Sequence, residues 1–231
     1  MTVTLAFEAS ADTCSVSLRL ASSETKTLRS QQARAHAAYL LPFAHQLLAE
    51  SNITLSEVDA IACAVGPGSF TGLRIAVGVA QGLAYSADKM IIPVNSLAAL
   101  AFAAKAPPGG TLIPLMDARM SEVYWGVYDN AGQALSKAQA AMLGSCQSFA
   151  QALGPDTRSF IPVGEAWTQV DYAAQCLSDL SDHRFLDTTV DAGHVADLAV
   201  QQLAEALPPH LVDLCYCRNS VAWNKRARIR S

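Results

Sequence analysis

Apolar and polar positions alternate first in short runs and then at helical spacing. Residues 3–8 (VTLAFE) are apolar and β-leaning, residues 14–20 (CSVSLRL) place Val16, Leu18 and Leu20 on one face, and residues 25–30 (TKTLRS) can return as a third strand. The turns ASADT and ASSE separate them, which predicts a three-stranded antiparallel meander. Residues 33–51 then put Ala37, Leu40, Leu41, Ala44, Leu47 and Leu48 on one helical face. Pro42 lies inside this helix and should bend it, since it removes a donor and clashes one turn back. Residues 58–65 (VDAIACAV) have no polar alternation and read as a buried strand, followed by a helix over 71–86, a strand over 89–94 and a capped helix over 95–105.

The order is βββαβαβα, and APPGG (106–110) then punctuates the chain as a linker does. Beyond it the pattern partly recurs. TLIPLMDA and EVYWGVYD read as strands, with a third short strand near ALSKAQ, a helix at CQSFAQALG, a strand at SFIPVG and an amphipathic helix at AGHVADLAVQQLAEAL that stops at Pro208-Pro209. The expected fold is α/β: two similar lobes, 1–105 and 111–231, each with a mixed sheet and flanking helices. This is the ribonuclease-H-like order in tandem, the architecture of actin-like ATPases, and it does not by itself give a function.

Composition narrows the class. The chain has 231 residues, of which 51% are hydrophobic and 16% charged, which fits a folded core rather than disorder. No apolar run reaches the length of a membrane span, and MTVTLAFEAS carries neither a basic leader nor a small-residue cleavage site, so a cytoplasmic protein is expected. The six cysteines include no CxxC pair and are expected to be reduced. Cys215-Tyr216-Cys217 would turn two thiols to one side, but lacks a second ligand pair. Charge is uneven: net charge is −4, yet Arg218, Lys225, Arg226, Arg228 and Arg230 give the last stretch five cations and no acid. That tail reads either as a solvated terminus or as a contact for RNA or an acidic partner.

Residues 64–86 (AVGPGSFTGLRIAVGVAQGLAYS) concentrate glycine where a strand becomes a helix. A Walker loop would need a lysine that is absent here, and the third glycine falls one residue late for a dinucleotide fingerprint. Ser69 or Thr71 can cap the free N–H groups, or those groups can hold an anion. Gly72, Ala76, Ala80 and Ala84 recur every fourth residue, as do Gly78 and Gly82, while Leu73, Ile75, Val77, Val79 and Leu83 fill the rest. Such a smooth helix suits either close packing with the 33–51 helix or a subunit interface.

Candidate chemistry is sparse. None of the five histidines is paired at helical spacing. Glu8 at the end of the first strand, with Asp12 in the following turn, reads either as a holder of metal-bound water or as a carboxylate on a polar rim. Asp117, Arg119 and Glu122 read as an anion site or as an ion-pair cluster holding a tight turn.

At this point the chain resembles the TsaB (YeaZ) family. The resemblance rests on AVGPGSFTGLRI, HAAYLLP, IIPVNSLAALA, DARMSEVYWGVY, GEAW and RNSVAWNK, in order from residue 5 to 225. It implies a role in making N6-threonylcarbamoyladenosine, the modified adenosine beside the anticodon of tRNA. It implies a non-catalytic relative of the transferase TsaD: the TsaD His-x-x-x-His metal positions fall here on Ser96 and Leu100, which do not form such a site. It further implies docking on TsaD through the two N-terminal-lobe helices, with the ATPase TsaE joining, homodimers of the lone protein, indirect or weak tRNA contact and no membrane. The expected partner-binding residues are His36, Leu40, Gly72, Ala76, Val79, Ala80, Gly82 and Leu83. A charge at Gly82 or Ala80 should then leave the fold intact and abolish docking. No catalytic residue, metal or cofactor is expected, with nucleotide confined to the partner interface. The alternative is a metallopeptidase-like or nucleotide-binding enzyme of the same fold.

Overall fold

The computed structural model describes residues 2–106, 108–119, 122–135, 139–142, 160–169 and 186–217. The expected helix at CQSFAQALG and the basic stretch from Arg218 lie outside them. Strands β1 (Thr4–Glu8), β2 (Ser15–Arg19) and β3 (Thr25–Arg29) form the meander; helix α1 (His36–Glu50), strand β4 (Ala60–Gly66), helix α2 (Phe70–Ala87), strand β5 (Ile91–Asn95) and helix α3 (Ser96–Ala103) follow. Pro42 is accommodated within α1. The sheet order is β3-β2-β1-β4-β5, with β1, β2 and β3 antiparallel and β1, β4 and β5 parallel.

The second lobe repeats this plan. Strands β6 (Thr111–Arg119), β7 (Glu122–Trp125), β8 (Gln139–Met142) and β9 (Phe160–Val163) lie in the order β8-β7-β6-β9, with β6 antiparallel to β7 and parallel to β9. This matches β3-β2-β1-β4 strand for strand, so the duplication expected from the sequence is present in the topology. Short helix α4 (Ala166–Gln169) follows β9, and helix α5 (Ala192–Gln201) is the last α-helix among the described residues.

Alternation along the first sheet sorts side chains by size. Leu5, Phe7, Val16, Leu18, Ile61 and Cys63 point to one face and pack with Leu40, Ala44 and Leu47 of α1 and Ala76, Val77 and Ala80 of α2. The opposite face carries Ala6, Ala60, Ala62 and Ala64, together with the buried Thr4, Ser15 and Ser17. Small side chains let a helix come close, and that helix is α5, packed on β1 and β2 with α3 beside it. The contact is polar as well as apolar. The Ala192 N–H donates to Ser15 Oγ at 2.9 Å, Arg19 pairs with Asp197 at 2.9 Å, and Arg29 pairs with Asp191.

The division at 105 and 111 therefore needs amendment: a helix from the second half completes the first lobe. Ser15 and Ser17, which alternate with the apolar face of β2, are both covered. The chain then laces itself to the same lobe. Ile91 and Leu207 exchange backbone hydrogen bonds of 2.9 and 2.8 Å along the edge strand β5, and Gln81 Nε2 donates to the Pro209 carbonyl at 2.8 Å. The Cys215 N–H donates to the Val65 carbonyl at 2.8 Å. Lobe joins lobe through the buried Tyr128, whose hydroxyl donates to Asn95 Oδ1 at 3.0 Å, the same oxygen that caps α3.

The glycines of α2 fall into two groups. A Cβ on Gly72 would lie 2.1 Å from the Ala9 carbonyl oxygen, whereas one on Gly78 or Gly82 would meet nothing within 4 Å. Gly72→Ala should therefore destabilise the protein by about 1–3 kcal/mol through overpacking. Gly78→Ala should stabilise it by up to about 1 kcal/mol through helix propensity. Urea unfolding of the two variants beside the parent checks both signs.

Candidate functional site

Two features offer themselves: a cleft between the lobes and the outer side of α1 and α2. The cleft has a volume of about 1040 Å³ and is walled by the β1–β2 turn, the start of α2, the end of β6 and the 214–217 segment. Glu8 lies at its floor, 2% exposed. Its Oε1 accepts hydrogen bonds from the Ser10 N–H at 2.6 Å and from the Ser10 hydroxyl. Burial outweighs those bonds and pushes the carboxyl up to about 7. Asp12 holds Arg119 across the cleft at 2.6 Å, and Arg119 also pairs with Asp117 at 3.0 Å. The Arg119 N–H closes the turn on Asp117 Oδ1 at 2.7 Å. Asp117 and Arg119 thus form the ion-pair cluster that the turn pattern allowed, joined by Asp12 from the other lobe, a partner that sequence distance concealed. Glu122 stands opposite Arg119 in the β6–β7 ladder. With side chains 60% and 50% exposed, the Arg119–Asp12 pair contributes at most about 1 kcal/mol.

The glycine loop is fitted to the protein itself. Ser69 caps α2, its Oγ accepting the Gly72 N–H at 3.3 Å. Ser69 N–H donates to the Ser10 carbonyl at 2.7 Å, and Gly68 lies so close that a Cβ there would be 2.5 Å from the same oxygen. Arg74 stacks on Phe70 at 3.3 Å from the ring centre and donates to the Tyr216 hydroxyl.

A metal does not fit the positions that the resemblance points to. Ser96 is 0% and Leu100 3% exposed, both in the apolar core beneath α5. Among the described residues no group of three or more His, Cys, Asp and Glu comes together.

The expected partner residues divide. His36, Leu40, Gly72, Ala76 and Ala80 are buried. Leu40, Ala76 and Ala80 are 0% exposed and pack under the helices, so they belong to the core and not to a docking face. His36 packs on Gly72: its Cδ2 and Nε2 would lie 3.1 Å from a Cβ there, its Nδ1 has no hydrogen-bond partner among the described residues, and burial holds its pKa down. Four-residue spacing identified a stripe, but the one built of Gly72, Ala76, Ala80 and Ala84 faces inward. A charge at Ala80 would be buried and would break the fold, contrary to the expectation above. Gly82 is exposed, and Val79 and Leu83 are half-buried. Around them stand Gly78, Leu41 at 51% exposed and Tyr85 at 60%.

The Glu8 shift has a sign that can be measured. A carboxyl that is protonated more readily in the folded state than in the unfolded one stabilises the protein at low pH. The folded value near 7 exceeds the ordinary carboxyl value of 4.5, so this stability is lost as pH rises from 4.5 through 7, by up to about 3 kcal/mol. Unfolding free energies at about pH 5 and about pH 8 should show this drop, and Glu8→Gln should flatten it.

No described helix is long and apolar enough to cross a membrane. The model of the family described as TsaD, tRNA N6-adenosine threonylcarbamoyltransferase, matches residues 26–219. The TsaB protein of Haemophilus influenzae is 42% identical over 122 residues, covering 52% of this chain and about half, 51%, of its own length. The TsaB protein of Escherichia coli is 32% identical over 198 residues, covering 83% of this chain and 84% of its own. The solved structure of YeaZ from Pseudomonas aeruginosa aligns with a TM-score of 0.79 at 32% identity, covering 94% of this chain and all of that one. The Escherichia coli relative, similar over most of the chain, is a TsaB protein, and the matching topology gives the actin-like, ribonuclease-H-like fold; the chain belongs to the TsaB (YeaZ) family of tRNA threonylcarbamoyladenosine biosynthesis proteins.

Proposed function

We propose that this chain is a non-catalytic subunit of the cytoplasmic machinery that makes threonylcarbamoyladenosine in tRNA. It docks on the transferase TsaD through the outer side of α1 and α2, with TsaE joining the pair and tRNA contacted only indirectly. In the absence of TsaD the same side pairs two copies.

The observation that carries this reading is the outer side of α2. Arg74 is the sole charged residue between Phe70 and Ala87. Gly78 and Gly82, each costing up to about 1 kcal/mol of helix stability relative to alanine, have open space where a side chain would stand. No described residue uses that space, unlike the space beside Gly72. An incoming helix can use it, because glycine lets backbones approach closely while Val79, Leu83 and Tyr85 supply apolar area around the contact. The absence of catalysis is supported by Ser96 and Leu100, which offer no imidazole and lie in the core.

A second reading, a nucleotide-binding enzyme of the same fold, rests on the size of the cleft. Among the described residues its wall holds Arg29, Arg34 and Arg119 but no lysine, and calorimetric titration with Mg-ATP would favour it only if the isolated chain bound nucleotide.

Gly82→Arg should leave the melting temperature unchanged or raised and weaken TsaD binding by about 2–4 kcal/mol, the range of an interface hot spot. Gly82→Ala should bind nearly as the parent does. Size-exclusion chromatography with light scattering, on each protein alone and with TsaD, reads both the heterodimer and the homodimer. Normal co-elution of the arginine variant would refute the assignment.

A further inference from the structure

The last described segment, residues 212–217, belongs to no helix or strand and runs past the end of β4. Its backbone is anchored at Cys215, whose N–H bonds to Val65 and whose carbonyl oxygen would lie 2.9 Å from a Cβ on Gly66. Cys215 and Cys217 are two residues apart, so extended backbone turns both to the same side. Their sulfurs lie 4.0 Å apart, both residues are half-buried, and both line the cleft between the lobes.

The other described thiols differ. Cys14 and Cys63 are 2% and 0% exposed, and burial pushes both pKa values up. At the pair, the hydrogen bond from Cys217 stabilises a thiolate on Cys215, holding it down to about 7, while the donor thiol is pushed up. A thiolate at neutral pH with a second thiol in contact is the arrangement that thiol–disulfide exchange requires. A structural zinc site would need further ligands, and no described group of three or more metal-ligating side chains supplies them.

We propose that Cys215 and Cys217 form a redox-active dithiol that reacts with small disulfides of the glutathione class admitted by the cleft. The Cys215 thiolate attacks one sulfur of the small disulfide. That S–S bond breaks, and one small thiolate leaves and takes a proton from water. Cys217 then loses its proton to water and attacks Cys215 Sγ in the mixed disulfide, expelling the second small thiolate, which is protonated in turn. One small disulfide is reduced to two thiols, and the protein dithiol is oxidised by two electrons to an intramolecular disulfide. The sulfurs must close from 4.0 Å to about 2.05 Å, which the segment can allow because no sheet ladder fixes it. Tyr216, between the cysteines, is 58% exposed and accepts a hydrogen bond from Arg74 on α2.

The test uses the full chain, reduced and desalted, then incubated with glutathione disulfide and followed by intact mass and peptide mapping. The parent should lose two hydrogens in a bond mapped to Cys215 and Cys217, reversibly with dithiothreitol. Cys217→Ser should stop at the glutathione adduct on Cys215. Cys215→Ser should react several-fold more slowly at neutral pH, because the remaining thiol has lost the arrangement that favours its thiolate. A parent that accumulates only adducts, stays reduced, or forms its disulfide through Cys146 or Cys176 would overturn the proposal. Equal rates for the parent and Cys215→Ser would overturn it as well.

Discussion

The structure depends on a close approach of two backbones, the β1–β2 turn and the start of α2. Gly68 and Gly72 press against Ser10 and Ala9 at distances that a Cβ would not tolerate, and the Ser69 N–H ties the two segments at 2.7 Å. This contact seats α2 on the large-residue face of the first sheet. Its rotation about its own axis follows: Gly72, Ala76, Ala80 and Ala84 turn in, and Gly78 and Gly82 turn out. The same contact places Ser10 where it donates to Glu8, so the floor of the cleft and the outer side of α2 share one constraint.

Much of this architecture was legible in the sequence because local signals agreed with the fold. Short alternating runs marked the meander, Asn95 marked the start of α3, and the recurrence of strand patterns after residue 110 marked the duplication. What was not legible required distance information. Helical spacing finds a stripe of small residues but does not say which side of the helix meets the sheet, so buried Ala76 and Ala80 were indistinguishable from exposed Gly82. The cover over Ser15 and Ser17 was not legible, because nothing local announces that a helix 177 residues later in the chain will donate to Ser15. Asp12 and Arg119, 107 positions apart, were likewise invisible as a pair.

The cleft shows how residues of chemical type can serve the packing of the fold. Its loop of glycines, serine and helix start has the ingredients of an anion cradle, yet Ser69 caps the helix and the glycines accommodate the chain itself. Glu8, the carboxylate best placed for chemistry, is held by one neighbouring serine in surroundings that favour its protonated form. Arg119, across the cleft, is occupied by Asp12 and Asp117. Such an arrangement ties the two lobes together.

The return of α5 to the first sheet bears on how the molecule is made. During synthesis the face carrying Ala6, Ala62 and Ser17 is exposed as soon as β1–β4 emerge, yet its cover, Ala192–Gln201, begins about 125 residues after the end of β4. At ordinary elongation rates that gap lasts about 6–25 s. The first lobe is not a unit that can finish folding on the ribosome ahead of the second. A nascent chain carries an uncovered sheet face through most of its translation, and the helix that closes it also closes the window in which chaperones or aggregation can compete for that face.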